Sequence, residues 1–452
     1  MPASDLFSEH AAVHGEEGLS PALAERARRT TQVMVERLAD ERVVAEAVRR
    51  TKAVSKYPFE WGGPGLYGGH AGMALVLCYA AAALTGEAGA RRAPALRLIQ
   101  EAARHTRKAP LILPGLGSGT TGMTLAVERL AADEPRLLPV LRRLRETLSE
   151  QVLQAPSRRA GDGVSPGTYD VVSGAAGVLG YLTSLTEPSS REREAAARLL
   201  DDLVWMCDPR EGRARWQVPP RLMPGRDRAE EFPHGYVDLG LAHGLAGPLA
   251  ALSLAWARGH RRPGLRPAVE HVAAFLLETS DHDAYGRRWP RWLALTPSGA
   301  IQERPPQAGH ESWCYGTPGI TSALLDAAEA LGDRALRAVA VDAFEAALRR
   351  VFAGHGHLVS ASLCHGWSGL LIVCGKFARA GSVAARSALP SLVERVLDAC
   401  DAANPLLVKE FQAPDVYTDN PDLLDGAAGV PLALWTVSGS IDDEWQRSLL
   451  IR

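Results

Sequence analysis

The chain has 452 residues, 46% of them hydrophobic and 23% charged, with a formal net charge of −2 at pH 7. That composition suits a globular protein with a large core, and it offers neither a basic surplus for nucleic acid nor a polybasic run for an anionic membrane. The opening MPASDLFSEHAAVHGEEG lacks the apolar stretch of a secretory signal, and the longest uncharged run, Trp61 to Gly86, has too short an apolar part for stable membrane insertion.

A polar tail spans 1–19. From residue 20 onward, Gly-x-x-Gly followed at once by an apolar run recurs seven times. The copies are GHAGMALVL (Gly69, Gly72), GTTGMTLAV (Gly119, Gly122), GAAGVLGYL (Gly174, Gly177), GLAGPLAAL (Gly244, Gly247), GTPGITSALL (Gly316, Gly319), GWSGLLIVC (Gly366, Gly369) and GAAGVPLALW (Gly426, Gly429). Their spacing leaves room for two helices and their connections. The run after each glycine pair is apolar nearly all round, as in Met73 to Leu84, which suits a helix buried on every side. The runs between are amphipathic, near 20–50, 94–107, 134–154, 190–207, 264–280, 333–352 and 387–402. In the sixth of these, Leu336, Ala340, Phe344, Leu348 and Phe352 form one stripe.

Seven buried helices alternating with seven half-exposed ones predict an all-α fold over 20–452, an (α/α)7 toroid of two concentric rings. An open solenoid would expose a face of each inner helix. The glycines let inner helix starts crowd together and permit turns with positive φ. Two longer stretches, about 207–238 and 281–312, are rich in Pro, Arg and Trp. They are expected as loops or short strands, either over the mouth of the ring and gripping a peptide, or as plain surface insertions.

In a ring of equivalent hairpins, residues at one offset from the motif stand at one height around the axis. Two positions before the first glycine are Cys314 and Cys364, in neighbouring copies; one position before it are His243, His365 and Asp425. Repeat symmetry therefore brings Cys314, Cys364 and His365 together. Two thiolates and an imidazole suit Zn2+, and three protein ligands leave a position open, as in catalytic zinc. Parallel inner-helix N-termini add a field that favours thiolates and a developing enolate. Such a centre activates a thiol, and the residues do not say whose. The alternative, that these side chains cap or pack helix starts, leaves the shared offset a coincidence. Cys78, Cys374 and Cys400 fall within predicted helices and Cys207 at the end of one, as packing residues. Without a disulfide framework the six cysteines point to a reducing cytoplasm. His70, His234, His282, His355 and His357 share no offset and are expected at the surface or at caps.

GLAHGLAG, SWCYGTPG and LCHGWSG, in that order on seven glycine hairpins, resemble the lanthionine synthetase C family, the LanC cyclases, over residues 20–452. The resemblance implies one zinc on Cys314, Cys364 and His365. The implied reaction adds cysteine thiols of a dehydrated ribosomal precursor peptide to dehydroalanine or dehydrobutyrine, forming (methyl)lanthionine thioether rings. It implies acid–base roles for His243 and Asp170, with capping or spare ligation as the alternative for His243. Trp313 and Tyr315 flank the zinc cysteine as the motif requires and, with Asp425, are expected to bind substrate. His310, also expected there, stands four residues before Cys314, where the family commonly has arginine, so an arginine-assisted step does not carry over. With no dehydratase or kinase region before the ring, the resemblance implies a stand-alone cyclase served by a separate dehydratase. Its expected place is the cytoplasm, with a peripheral position at the membrane in a biosynthetic complex left open. Two other functions compete: a glutathione- or peptide-binding relative that kept the zinc, and a zinc-dependent protein-thiol alkyltransferase of the prenyltransferase kind. The latter uses an Asp-Cys-His set and an aromatic funnel, and aromatics are only 6% here.

Overall fold

Each glycine motif opens a helix whose surroundings are protein on every side. In the computed structural model, which describes residues 19–451 apart from 60, 85–87, 157–162, 209–214, 224–225 and 303–309, most of the predicted tail and parts of both insertions lie outside the described residues. The inner helices are His70–Ala83, Thr120–Asp133, Ala175–Leu182, Ala246–Ala257, Thr317–Leu331, Trp367–Arg379 and Gly429–Val437. Each packs on the next, and the seventh returns to the first.

Outer helices Ala88–Lys108, Leu138–Gln154, Ser190–Cys207, Leu265–Glu278, Arg334–Phe352 and Val383–Asp398 each follow and cover an inner one. The seventh outer place is filled from the opposite end of the chain. There Pro21–Ala39 packs on both Gly429–Val437 and Val383–Asp398. The fold is the predicted helical toroid.

Outer helices need only an apolar stripe, because one side meets water. In Arg334–Phe352 the residues Leu336, Ala340, Phe344 and Leu348 are buried, and Phe344 stacks on Phe377 of the inner ring with centroids 4.1 Å apart. Phe352 is 44% exposed, so the stripe ends one turn earlier than its spacing predicts. Local capping, which periodicity does not register, decides the helix ends. Asp40 is extended and accepts from the N–H groups of Arg42 and Val43, dividing the stretch 20–50 into Pro21–Ala39 and Glu41–Val54. Ser382 caps the start of the sixth outer helix at Val383, and the helix ends at Asp398 with Ala399 closing the last turn onto Arg395 and Leu397, so Cys400 lies beyond the helix end rather than within it.

The glycines serve close approach. A Cβ on the second glycine of each motif would lie between 1.8 Å (Gly72) and 2.8 Å (Gly247) from the carbonyl oxygen six residues upstream. The expected positive-φ turns are mostly absent: among the motif glycines only Gly316 has one, at +98°. The loops so drawn in are joined by backbone hydrogen bonds around the whole ring. Tyr67 N–H donates to Gly117 O (3.1 Å), Gly117 to Val172 (2.7 Å), Val171 to Ala242 (3.0 Å) and Ala242 to Cys314 (3.3 Å). Cys314 donates to Cys364 (3.2 Å), Cys364 to Leu424 (2.9 Å), and Leu423 back to Tyr67 (2.9 Å). This closed collar runs at one repeat offset, two residues before the first glycine, give or take one residue.

Three antiparallel strand pairs lie among the loops. Tyr236–Asp238 pairs with Trp292–Ala294, joining the two insertions, and Asp281–Asp283 pairs with Gly286–Arg288. Glu410–Ala413 pairs with Val416–Thr418 between the sixth and seventh motifs, a hairpin that no repeat signal marks. Among the described residues no helix is long and apolar enough to cross a membrane.

Gly122→Ala should destabilise the protein by about 1–3 kcal/mol, the usual cost of overpacking, because its Cβ would meet Leu116 O at 2.1 Å. Gly375→Ala, within Trp367–Arg379 and with neighbours no nearer than 3.7 Å, should instead be neutral or raise the melting temperature slightly. Thermal melts followed by circular dichroism compare the two; equal losses would refute the crowding argument.

Candidate functional site

The collar sets Cys314 and Cys364 side by side, since one donates its N–H to the carbonyl of the other. With His365 they form a group whose ligand atoms all lie within 4.8 Å of one another, the only such His/Cys/Asp/Glu group among the described residues. Cys314 is buried, while Cys364 and His365 are partly exposed, so the group opens on one side. Contact with Cys364, and then with His365 and Ser312, holds the Cys314 thiol well below the usual range; Cys364 is pushed up by Cys314, by burial and by Asp425. His365 Nε2 meets the carboxylate of Glu410, which is 4% exposed, and Nδ1 stands 3.6 Å from Asp425 Oδ1. Burial opposes charge on this ring, yet Cys314, Glu410 and Asp425 raise its pKa to about 11. The second oxygen of Glu410, Oε2, is buried with no hydrogen-bond partner. Buried negative charge around two thiols and an imidazole is what a divalent cation relieves, and the sulfur donors select zinc over magnesium or calcium.

A second pair stands on the same collar. The bond from Val171 N–H to Ala242 O is flanked by Asp170 on one strand of chain and His243 on the other. Their side chains meet at 2.7 Å, His243 Nδ1 to Asp170 Oδ2. Asp170 is nearly fully buried, and its Oδ1 accepts from Ser173 N–H (2.7 Å) and Gly174 N–H (2.8 Å), which fixes the carboxylate. The His243 side chain is 40% exposed. Burial works against the imidazolium, but Asp170, then Asp238 and Cys314, outweigh it and raise the His243 pKa. Ala242 N–H in turn bonds Cys314 O, so this pair adjoins the cysteine group.

The flanking residues divide. Tyr315 OH donates to Asp238 Oδ2 (3.3 Å), and its ring centroid is 6.3 Å from that of His243. Trp313 is fully buried with its N–H on Leu449 O (3.0 Å), so it ties the collar to the C-terminal segment and leaves no exposed face. His310 is shielded by burial, which lowers its pKa, and its ring lies 6.0 Å from His357. His357, expected at the surface or at a cap, is exposed as expected and also neighbours His310. Asp238, Trp292, Arg291 and Glu410 were not legible as site residues. They sit on the strand pairs or, for Arg291, directly before one, where no repeat offset applies, and only the Arg/Trp-rich composition of the second insertion hinted at two of them.

A family model described as lanthionine synthetase C-like protein matches residues 60–450. The nisin biosynthesis protein NisC of Lactococcus lactis subsp. lactis is 24% identical over 273 residues, 60% of this chain. The match spans 63% of that relative's length. The solved structure of a nisin cyclase superimposes with a TM-score of 0.74 at 22% identity, over 91% of this chain and 96% of the other. That likeness shows the fold.

Because burial alone depresses an imidazole pKa and Asp170 opposes it, Asp170→Asn should shift the titration of the His243 ring to lower pH. NMR of the ring Cε1 proton measures it. An unchanged titration would mean that Asp170 does not hold the imidazolium.

Proposed function

The chain belongs to the lanthionine synthetase C-like family, and on that premise we propose that it is a zinc-dependent lanthipeptide cyclase. Its substrate is a dehydrated ribosomal precursor peptide, supplied by a separate dehydratase, whose cysteine thiols add to dehydroalanine or dehydrobutyrine. The observation that carries this reading is the convergence of Cys314, Cys364 and His365 beside the His243–Asp170 pair on one collar. That all six cysteines are unpaired supports a cytoplasmic setting.

Cys314, Cys364 and His365 would hold one ion and leave one position free. A zinc bound there supplies the Lewis acidity that keeps a peptide thiol ionised near neutral pH. Addition of the thiolate to the β-carbon of the dehydro residue creates an enolate, and its α-carbon must take up a proton. His243 delivers that proton. Asp170 holds the ring in orientation and in its charged form, and the partly exposed side of the imidazole is free to meet substrate. The thiol loses a proton and the α-carbon gains one, so the reaction needs no nucleotide and no redox cofactor.

Metal analysis should find about one zinc per chain, lost in Cys364→Ala while the helical circular-dichroism spectrum persists. Absence of zinc, or four protein ligands by X-ray absorption, would remove the catalytic-metal reading. Incubation with the cognate dehydrated peptide should consume thiols, counted by alkylation because ring closure leaves the mass unchanged; thiols that persist end the cyclase reading.

His243→Asn should keep its zinc and cyclise about 10²–10⁴-fold more slowly. The acid is the charged ring, and its pKa is raised above that of a free imidazole, so activity should persist to higher pH than a free imidazole would allow and fall as pH rises through the raised pKa. In Asp170→Asn the alkaline limb should move to lower pH; a limb that stays put in a kcat–pH profile would assign it to another group.

A further inference from the structure

Thiolate addition places negative charge on the substrate carbonyl oxygen before the α-carbon is protonated, and a donor fixed where that charge develops contributes most to the rate. Arg291 is so placed. It directly precedes the strand Trp292–Ala294, whose pairing sets Trp292 opposite Asp238, and its carbonyl accepts from Leu239 N–H at 3.2 Å. Its guanidinium carbon lies 3.6 Å from the Tyr315 ring centroid and 4.0 Å from that of Trp292, in the angle between two rings packed edge to face. Tyr315 follows Cys314 in the chain and its ring adjoins that of His243, so Arg291, lying over the Tyr315 ring, is a neighbour of the site.

Two features separate it from an ordinary surface arginine. Its Nε is buried with no hydrogen-bond partner, and although its charge acts on Asp238 and its donors reach the Tyr315 hydroxyl, among the described residues no carboxylate forms a salt bridge with it. The nearby Asp238 already accepts from Trp292 Nε1 (2.9 Å), Gly240 N–H (3.0 Å) and Tyr315 OH (3.3 Å). Arg228, which also lies over Trp292, does have a partner, Glu231 at 3.7 Å. A guanidinium wedged between rings keeps its donors fixed in direction, and a part-buried cation without a salt bridge suits an anionic or carbonyl oxygen.

We propose that Arg291 is a catalytic residue of the cyclisation, donating to the carbonyl oxygen of the dehydro residue under attack; this rests on the cyclase reading above. The thiolate sulfur bonds the β-carbon, the π electrons move through the α-carbon onto the oxygen held by Arg291, and His243 returns a proton to the α-carbon. Tyr315, Trp292 and Asp238 are positioning residues for the guanidinium.

The test compares the zinc-loaded native chain with Arg291→Met and Arg291→Lys. It measures cyclisation of the dehydrated peptide by thiol counting, zinc content, and binding of the same peptide with its cysteines replaced by alanine. Arg291→Met should lower kcat by about 10²–10³-fold, with KM, peptide Kd and zinc content within about threefold of native, and Arg291→Lys should recover part of the loss. A kcat for Arg291→Met within about threefold of native overturns the assignment, as does a loss that accompanies lost zinc or lost peptide affinity, since Arg291 would then act in packing or docking. A native chain that leaves thiols unreacted overturns the cyclase reading and Arg291's role with it, whereas an active native chain beside an unaffected variant overturns Arg291 alone.

Discussion

A circle of backbone hydrogen bonds holds this molecule's working face together, and it closes only because the helix starts have no side chain in the way. Each inner helix begins against the carbonyl six residues behind it, at a distance where any Cβ would collide. That contact brings the preceding loop down onto the helix, and the loop can then bond to the loops on either side. Remove the contact in one repeat and its loop would lift away from both neighbours. The ring therefore behaves as a single register. The N-terminal helix Pro21–Ala39 completes it by covering the seventh inner helix.

The chemistry sits directly on that circle. Cys314, Cys364, His365, Asp170 and His243 are all collar residues or their immediate neighbours. Their relative positions are thus set by main-chain hydrogen bonds rather than by flexible loops, which is how a site retains geometry when its side chains are partly open to solvent. The symmetric part of the fold supplies the ligand-type and proton-carrying groups. Its asymmetric additions supply the charge around them. Glu410 comes from a hairpin between the sixth and seventh motifs, and Asp238, Arg291 and Trp292 come from the strand pair joining the two insertions.

Buried ionic contacts secure those additions. Arg350 on the fifth outer helix is bound by Asp283 of the Asp281–Arg288 hairpin and by Glu311, three residues before Cys314. Burial raises the Glu311 pKa to about 7, with Arg350 opposing. Losing one partner of such a group is costly because a charge is left behind without compensation. The pairing anchors the approach to the Cys314 loop on a helix that the core already holds.

What the sequence determined by itself is whatever repetition encodes. Seven glycine motifs with uniformly apolar runs require two rings, and in a ring an offset along the chain becomes a position in space. Cys314, Cys364 and His365 could therefore be placed together without coordinates, and the alternation of apolar and amphipathic runs located the inner and outer helices. Contacts between residues with no repeat relation carried no such signal. The meeting of Glu410 with His365, Arg291 with Tyr315 and His357 with His310 depends on how hairpins and strand pairs fold over the ring. Helix ends at Asp40 and Ser382 were decided by single side-chain caps, and the role of the glycines by a carbonyl that only the packed loop brings near. Periodicity registers which face is buried; it contains no information about which separate segments meet there, and that was left to the tertiary structure.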